Sequence, residues 1–281
     1  VTRGSGIRNA RARGTLPRVL ALPAVLGLAL LVLPLVALVG RVDWARLPAD
    51  IGSPAALSAL GLSLGTALAA TLVCVVLGVP FALVIARAGA RTSAVLRAIV
   101  TVPLVLPPMV GGVALLFLFG RQSAIGRLLE AWWGLRIPFT TPAVVIAQVF
   151  VALPFLVLAL EGTVRAQGLD YERTAAALGA GRWRILFRVT LPLAAPGLVA
   201  GVVLCFARAI GEFGATALFA GNAPGVTQTM PLAIYTAFNG AGVSQGPAVA
   251  LSLLLLVTAV AVLLLVRGWR TDRVPTAEGT R

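Results

Sequence analysis

Arg208 and Glu212 stand four apart inside an apolar run, residues 196–220, so on a helix they share one face. Unpaired in hydrocarbon the two together would cost about 5–7 kcal/mol. They must therefore face protein and pair with each other. Two readings follow: a buried structural ion pair, or a pair beside a solute path or gate. Gly211 and Gly214 thin the same stretch, where a neighbour or a solute can come close. Covalent chemistry has little else to work with. The chain has no His and no Lys, which removes Ser-His nucleophiles, His-held metals and a Walker A lysine. Cys74 and Cys205 both lie in apolar runs and read as packing residues. No catalytic residue and no metal site is expected.

The densest polar chemistry lies between residues 165 and 192. Seven formal charges fall there: Arg165, Asp170, Glu172, Arg173, Arg182, Arg184 and Arg188. Burying them in lipid would cost about 17–25 kcal/mol, so the segment sits in water or against another protein. It reads as two short helices with a break. Asp170 is placed to cap the first, with Glu172 in its first turn. Gly179 or Gly181 supplies the left-handed residue that ends it. A second helix starts near Arg182 and stops before Pro192. A Leu178-Gly179 tip between two helices has the shape of a plug for another protein's groove.

The elements that must position these groups are membrane spans. The chain has 281 residues, 59% hydrophobic and only 11% charged, against about 25% charged in ordinary soluble domains. Long apolar runs in lipid have to be helices, because their backbone must be satisfied internally. Six runs qualify: 19–39, 55–86, 98–119, 142–160, 196–220 and 246–266. The second carries Gly61 and Gly65, a spacing that permits close helix contact. The third holds Pro103, Pro107, Pro108, Gly111 and Gly112 at membrane depth, so it is a broken helix, either lining a transport path or kinked for structural reasons alone. The fourth holds Pro154 and Gln148, the latter a helix–helix hydrogen bond or a path residue. The loop at 41–54 puts Trp44 near the interface. The loop at 120–141 has Trp132 and Trp133 as interfacial anchors and a short surface helix at Leu128-Leu129. The loop at 221–245 offers neutral hydrogen bonding from Asn222, Thr227, Gln228, Thr229 and Asn239.

Arginine counting orients the chain. Seventeen of the 23 arginines fall in a basic arm (1–18), the turn at 87–97, the charged loop and a tail (267–281). By the positive-inside rule these four regions are cytoplasmic. The net charge of +14 is thus a topology and anionic-lipid signal rather than a nucleic-acid one.

The charged loop resembles the "EAA" loop of permease subunits in ABC importers. That pattern is Glu-Ala-Ala, three residues, Gly, nine residues, an aliphatic, one residue and Leu-Pro. Gly179, Val189 and Leu191-Pro192 fit it. The Glu-Ala-Ala slots hold Arg173-Thr174-Ala175, with Glu172 one place early. The runs 102–112, 192–197 and 207–222 are similar to the molybdate/tungstate permeases of that group, and more distantly to the sulfate/thiosulfate ones. The resemblance implies an all-α integral membrane protein of the type I importer kind, with six transmembrane helices over 19–266 and both termini cytoplasmic. It implies ATPase coupling through Asp170, Glu172, Arg173, Ala175, Leu178, Gly179 and Gly181. It implies a translocation path or gate at Pro107, Pro108, Gly111, Gly112, Arg208, Glu212 and Gly214. The implied partners are a second copy of the chain, two ATP-binding cassette subunits and an extracytoplasmic oxyanion-binding protein. ATP sits on the partner subunits, with no cofactor on this chain, which lies in the cell membrane of a prokaryote.

Overall fold

The computed structural model describes residues 18–240 and 245–271, and every regular element among them is helical. The basic arm before Arg18 and the tail beyond residue 271 lie outside the described residues.

The chain up to Val42 is a unit by itself. A 3-10 turn, Arg18–Leu20, leads into α1, Ala21–Gly40. None of its residues is buried and its mean hydropathy is 2.7. A helix apolar on every side is solvated by lipid.

The second unit begins at Asp43. A short α2, Leu47–Ile51, precedes α3, Pro54–Arg87. Ser53 caps α3, its hydroxyl accepting from the Ala56 N–H at 3.3 Å, and Pro54 takes the first turn, where no N–H is needed. Then come α4, Ala90–Val105, and α5, Pro108–Phe119. The surface helix α6, Ala124–Trp133, is capped by Ser123 and closed by Gly134 at φ +64°. The long α7, Thr141–Gln167, leads into the charged loop with α8, Asp170–Ala177, and α9, Arg182–Ile185. A π turn, Leu186–Thr190, joins α9 to α10, Leu191–Ile210. The short α11, Gly214–Phe219, α12, Met230–Asn239, and α13, Gly246–Thr271, complete the unit.

Its centre is α7, packed against α3 on one side and α10 on the other. Small residues set the spacing. Ala67, Ala70, Cys74, Ala152, Cys205 and Ala209 surround Leu156 in one buried cluster. A Cβ on Gly201 would lie 3.2 Å from the Leu156 backbone, and one on Gly197 would lie 2.0 Å from the Thr163 hydroxyl. Without a hydrophobic drive between helices in lipid, such close approach is what holds them. Gly61 and Gly65 do not serve this contact. Both are exposed with open space around them, because the packed face of α3 is the one carrying Ser63, Thr66, Ala67, Ala70 and Cys74. Both cysteines are free and buried, in keeping with packing roles.

The broken helix expected over 98–119 is present, α4 and α5 meeting at 110°, while two other expectations need correcting. Leu106 precedes Pro107, which precedes Pro108, and a residue before proline is pushed out of the helical region. Their ψ angles are 135° and 133°. The run 196–220 also breaks, at Gly211–Phe213 between α10 and α11. The polar loop 221–245 contains a helix, α12, announced by Thr229 and by Pro231 in its first turn. Among the described residues four helices are long and apolar enough to cross a membrane: α1, α3, α7 and the continuous segment Arg182–Ile210. The bent α4–α5 pair, taken as one span, makes a fifth, and α13 contributes the apolar stretch Gly246–Val262.

Candidate functional site

The two breaks pack on each other. A Cβ on Gly214 would sit 2.9 Å from Pro108, and one on Gly112 would sit 2.8 Å from the Ala215 carbonyl. Gly111 instead faces α7, 2.8 Å from the Phe150 ring. Of the residues expected at a path or gate, Gly112, Gly214 and Pro108 thus form the α5–α11 contact and Gly111 the α5–α7 contact. Pro107 and Pro108 remain exposed at the bend.

Arg208 and Glu212 do pair, Nη1 to Oε2, at 2.7 Å. They do not share one helix, because α10 ends at Ile210. Glu212 lies in the break, 1% exposed, and its Oε1 accepts from the Ala215 N–H at 2.8 Å. One carboxylate thus neutralises the last arginine of α10 and caps the first turn of α11. Gln148, also 1% exposed, finds no hydrogen-bond partner for either amide atom among the described residues, and neither does the Thr216 hydroxyl.

In the charged loop, α8 starts at Asp170 itself, with Leu169 in the cap position and no side-chain cap. Asp170 is therefore a first-turn residue, not a cap. Gly179, at φ +83°, takes the left-handed conformation, and Gly181 does not, at φ −69°. The Gly179 and Ala180 N–H groups bond to the Ala176 and Ala175 carbonyls at 2.9 and 3.0 Å, closing the end of α8. The segment after Gly181 does not stop before Pro192. Pro192 lacks the N–H that would bond back four residues, and the chain widens into a π turn instead. The Leu191 N–H bonds to the Leu186 carbonyl, and the helix runs on into α10.

Glu172 is turned inward. Its Oε1 accepts from the Arg87 guanidinium at the end of α3 and from the Thr190 hydroxyl, at 2.7 Å, at the foot of α10. Asp170, Arg173, Leu178, Gly179 and Gly181 are exposed, Leu178 at 84%, while Ala175 is half-buried.

A second ionic cluster lies just above. Glu161, buried on α7, pairs with Arg97 of α4 at 2.6 Å and with Arg165 at 2.5 Å. Arg165 also donates to the Ser93 hydroxyl. Glu161 is not among the residues singled out from the sequence, because it follows the apolar run directly. Its four-residue spacing to Arg165 is the signal that finds it. On the opposite loop, Glu130 of α6 accepts from Arg121 and Arg136, and the Arg121 bond above all holds its carboxyl below the usual range.

Residues 78–270 match the family described as the binding-protein-dependent transport system inner membrane component. The chain belongs to that family. Among curated relatives, the molybdenum transport system permease protein ModB of Mycobacterium tuberculosis is 54% identical over 249 residues, 89% of this chain and 93% of the relative. The protein of the same name from Escherichia coli is 40% identical over 187 residues, 66% of this chain and 82% of the relative. Among solved structures, a bacterial alginate ABC transporter in complex with its alginate pentasaccharide-bound periplasmic protein aligns with a TM-score of 0.73. It covers 94% of this chain and 96% of its own at 17% identity. The inward-facing MetNI methionine ABC transporter gives 0.59 over 75% of this chain and 94% of its own, at 18% identity. The fold is therefore that of ABC-importer permeases. As a family member the chain is a transport subunit and a multi-pass inner-membrane protein of a prokaryote. The family match takes in both breaks, the charged loop and both ionic clusters.

Proposed function

We propose that this chain is the membrane-spanning subunit of an ATP-driven molybdate importer, working as a homodimer with two ATP-binding cassette subunits and an extracytoplasmic oxyanion-binding protein. The observation that carries the substrate is the 54% identity over 93% of a molybdenum transport permease. In this reading the exposed tip of α8, around Leu178 and Gly179, docks on the ATPase. Closure of the ATPase pair displaces α8. Glu172 passes the displacement to the end of α3 and the foot of α10, and those helices are locked to α7 by small-residue packing. The proline and glycine breaks at 106–107 and 211–213 are where the spans yield, so access alternates by rigid-body motion.

The Arg208–Glu212 pair supports a supporting role for Glu212 and leaves Arg208, the less buried of the two, as the cation nearest a passing dianion. The test is uptake of radiolabelled molybdate by proteoliposomes holding this chain, its ATPase and its binding protein. Uptake is expected to need both partners and ATP, and to fall with excess unlabelled molybdate but not sulfate. Equal suppression by sulfate would reassign the substrate, and uptake without ATPase would overturn the mechanism.

A further inference from the structure

We propose that the cleft between the charged loop and the end of α3 holds the headgroup and upper acyl chains of an anionic phospholipid. The cleft encloses about 390 Å³. Leu83, Ile185 and Leu186 give it an apolar wall, and Arg87, Arg173 and Arg182 bring three guanidinium groups to it. Glu172, the carboxylate that lines it, is already engaged by Arg87 and Thr190. Arg173 reaches only Asp170, at 3.9 Å with both side chains largely exposed, a contact worth little. Arg182 makes no ion pair among the described residues. The cleft therefore carries uncompensated positive charge beside hydrocarbon.

That combination selects an amphiphile. An inorganic oxyanion would meet only the arginines and leave the apolar wall uncovered. A phospholipid sets its phosphate on the arginines and its chains on the leucines. The neighbouring surface points the same way. Trp183 and Phe187, 73% and 61% exposed, stack with ring centroids 6.0 Å apart, flanked by Arg184 and Arg188. Basic and aromatic side chains interleaved at the foot of a span form the pattern of an interfacial segment on anionic lipid. The height is right as well, since α3 ends at Arg87 and α10 begins at Leu191, with Arg182, Arg184 and Arg188 in the turns just before it. The orientation proposed above assigns the lipid to the cytoplasmic leaflet; the site itself does not depend on the substrate.

The test is native mass spectrometry of the full chain with its ATPase partner, titrated with phosphatidylglycerol, phosphatidylcholine of the same chains, or inorganic phosphate. Phosphatidylglycerol should be retained well above phosphatidylcholine. Arg173→Gln with Arg182→Gln should lower its retention by about thirtyfold and leave phosphatidylcholine unchanged. Equal retention of the two lipids, or an unmoved double variant, overturns the proposal. Displacement of phosphatidylglycerol by inorganic phosphate would make this a soluble-anion site. A disulfide from Arg182→Cys to a cysteine on the ATPase would show that protein fills the cleft instead. Each readout is taken without substrate or transport, so its failure leaves the importer reading standing.

Discussion

Glu212 is shielded from bulk solvent, only 1% exposed. Buried in the break between α10 and α11, it is satisfied by Arg208 and by the Ala215 N–H. Removing one partner of such a pair leaves a buried charge, at about 3–5 kcal/mol. Arg208→Ala should therefore lower the melting temperature sharply. Arg208→Ala with Glu212→Gln should recover most of it, because Gln keeps an acceptor for Ala215 and drops the charge. If stability recovers while uptake stays lost, Arg208 meets the solute; if both recover, the pair is scaffolding. Glu130 on the opposite loop gives a pH prediction. Its carboxyl is held below the ordinary value of 4.5, chiefly by Arg121. A depressed folded value means the contribution is full above the unfolded value and lost as pH falls through the folded one. The α6 tether should thus hold at neutral pH and loosen only below about pH 4.5, read by the fluorescence of Trp132 and Trp133 against a Glu130→Gln control.

At the scale of elements, two glycines make different claims. Gly179 is left-handed, with open space where a Cβ would go. Gly179→Ala should cost only the backbone term, about 1–2 kcal/mol, whereas Gly179→Trp adds bulk at the docking tip. The expected result is ATP hydrolysis with transport lost in the Trp variant and largely kept in the Ala variant. Equal transport in all three would count against docking through this tip. Gly197 is crowded, its missing Cβ only 2.0 Å from the Thr163 hydroxyl. Gly197→Ala should destabilise the protein by about 1–3 kcal/mol, and Thr163→Gly should relieve part of that in a double-mutant cycle on thermal unfolding. Elements whose cause is local were legible in the sequence: the proline break at 106–107, the left-handed Gly179, the short surface helix around Leu128-Leu129. What depends on partners far along the chain was not. Nothing near Glu172 announces that Arg87 and Thr190 will hold it, and Gly61 and Gly65 carry a contact spacing on a face that α7 does not meet. Glu161 escaped for a related reason, since a carboxylate at the edge of an apolar run looks like its end until Arg97 closes on it from another helix.

For the whole molecule the decisive question is whether the bent α4–α5 pair crosses the bilayer or dips in and returns. Ionic contacts bear on it. Arg97 and Ser93, at the start of α4, meet Glu161 and Arg165, near the end of α7, and Arg87 meets Glu172 just beyond. The start of α4 and the end of α7 therefore lie on one side of the membrane. If α7 spans, as its length allows, the chain between Val105 and Thr141 has already reached the other side, and we propose that α4–α5 makes that crossing. A re-entrant pair would strand the arginines of the turn at 87–97 and those of the charged loop on opposite sides, against both these contacts and the positive-inside rule. The topology we propose has α1 and α13 crossing as well, which makes the count even and puts both termini on the side of the charged loop. Cysteines placed singly at Ser5, Arg121, Gly181 and Thr276 should report this in intact cells. An impermeant thiol reagent added outside is expected to label only the one at 121, and labelling at 181 from outside would place the loop beyond the reach of any cytoplasmic ATPase.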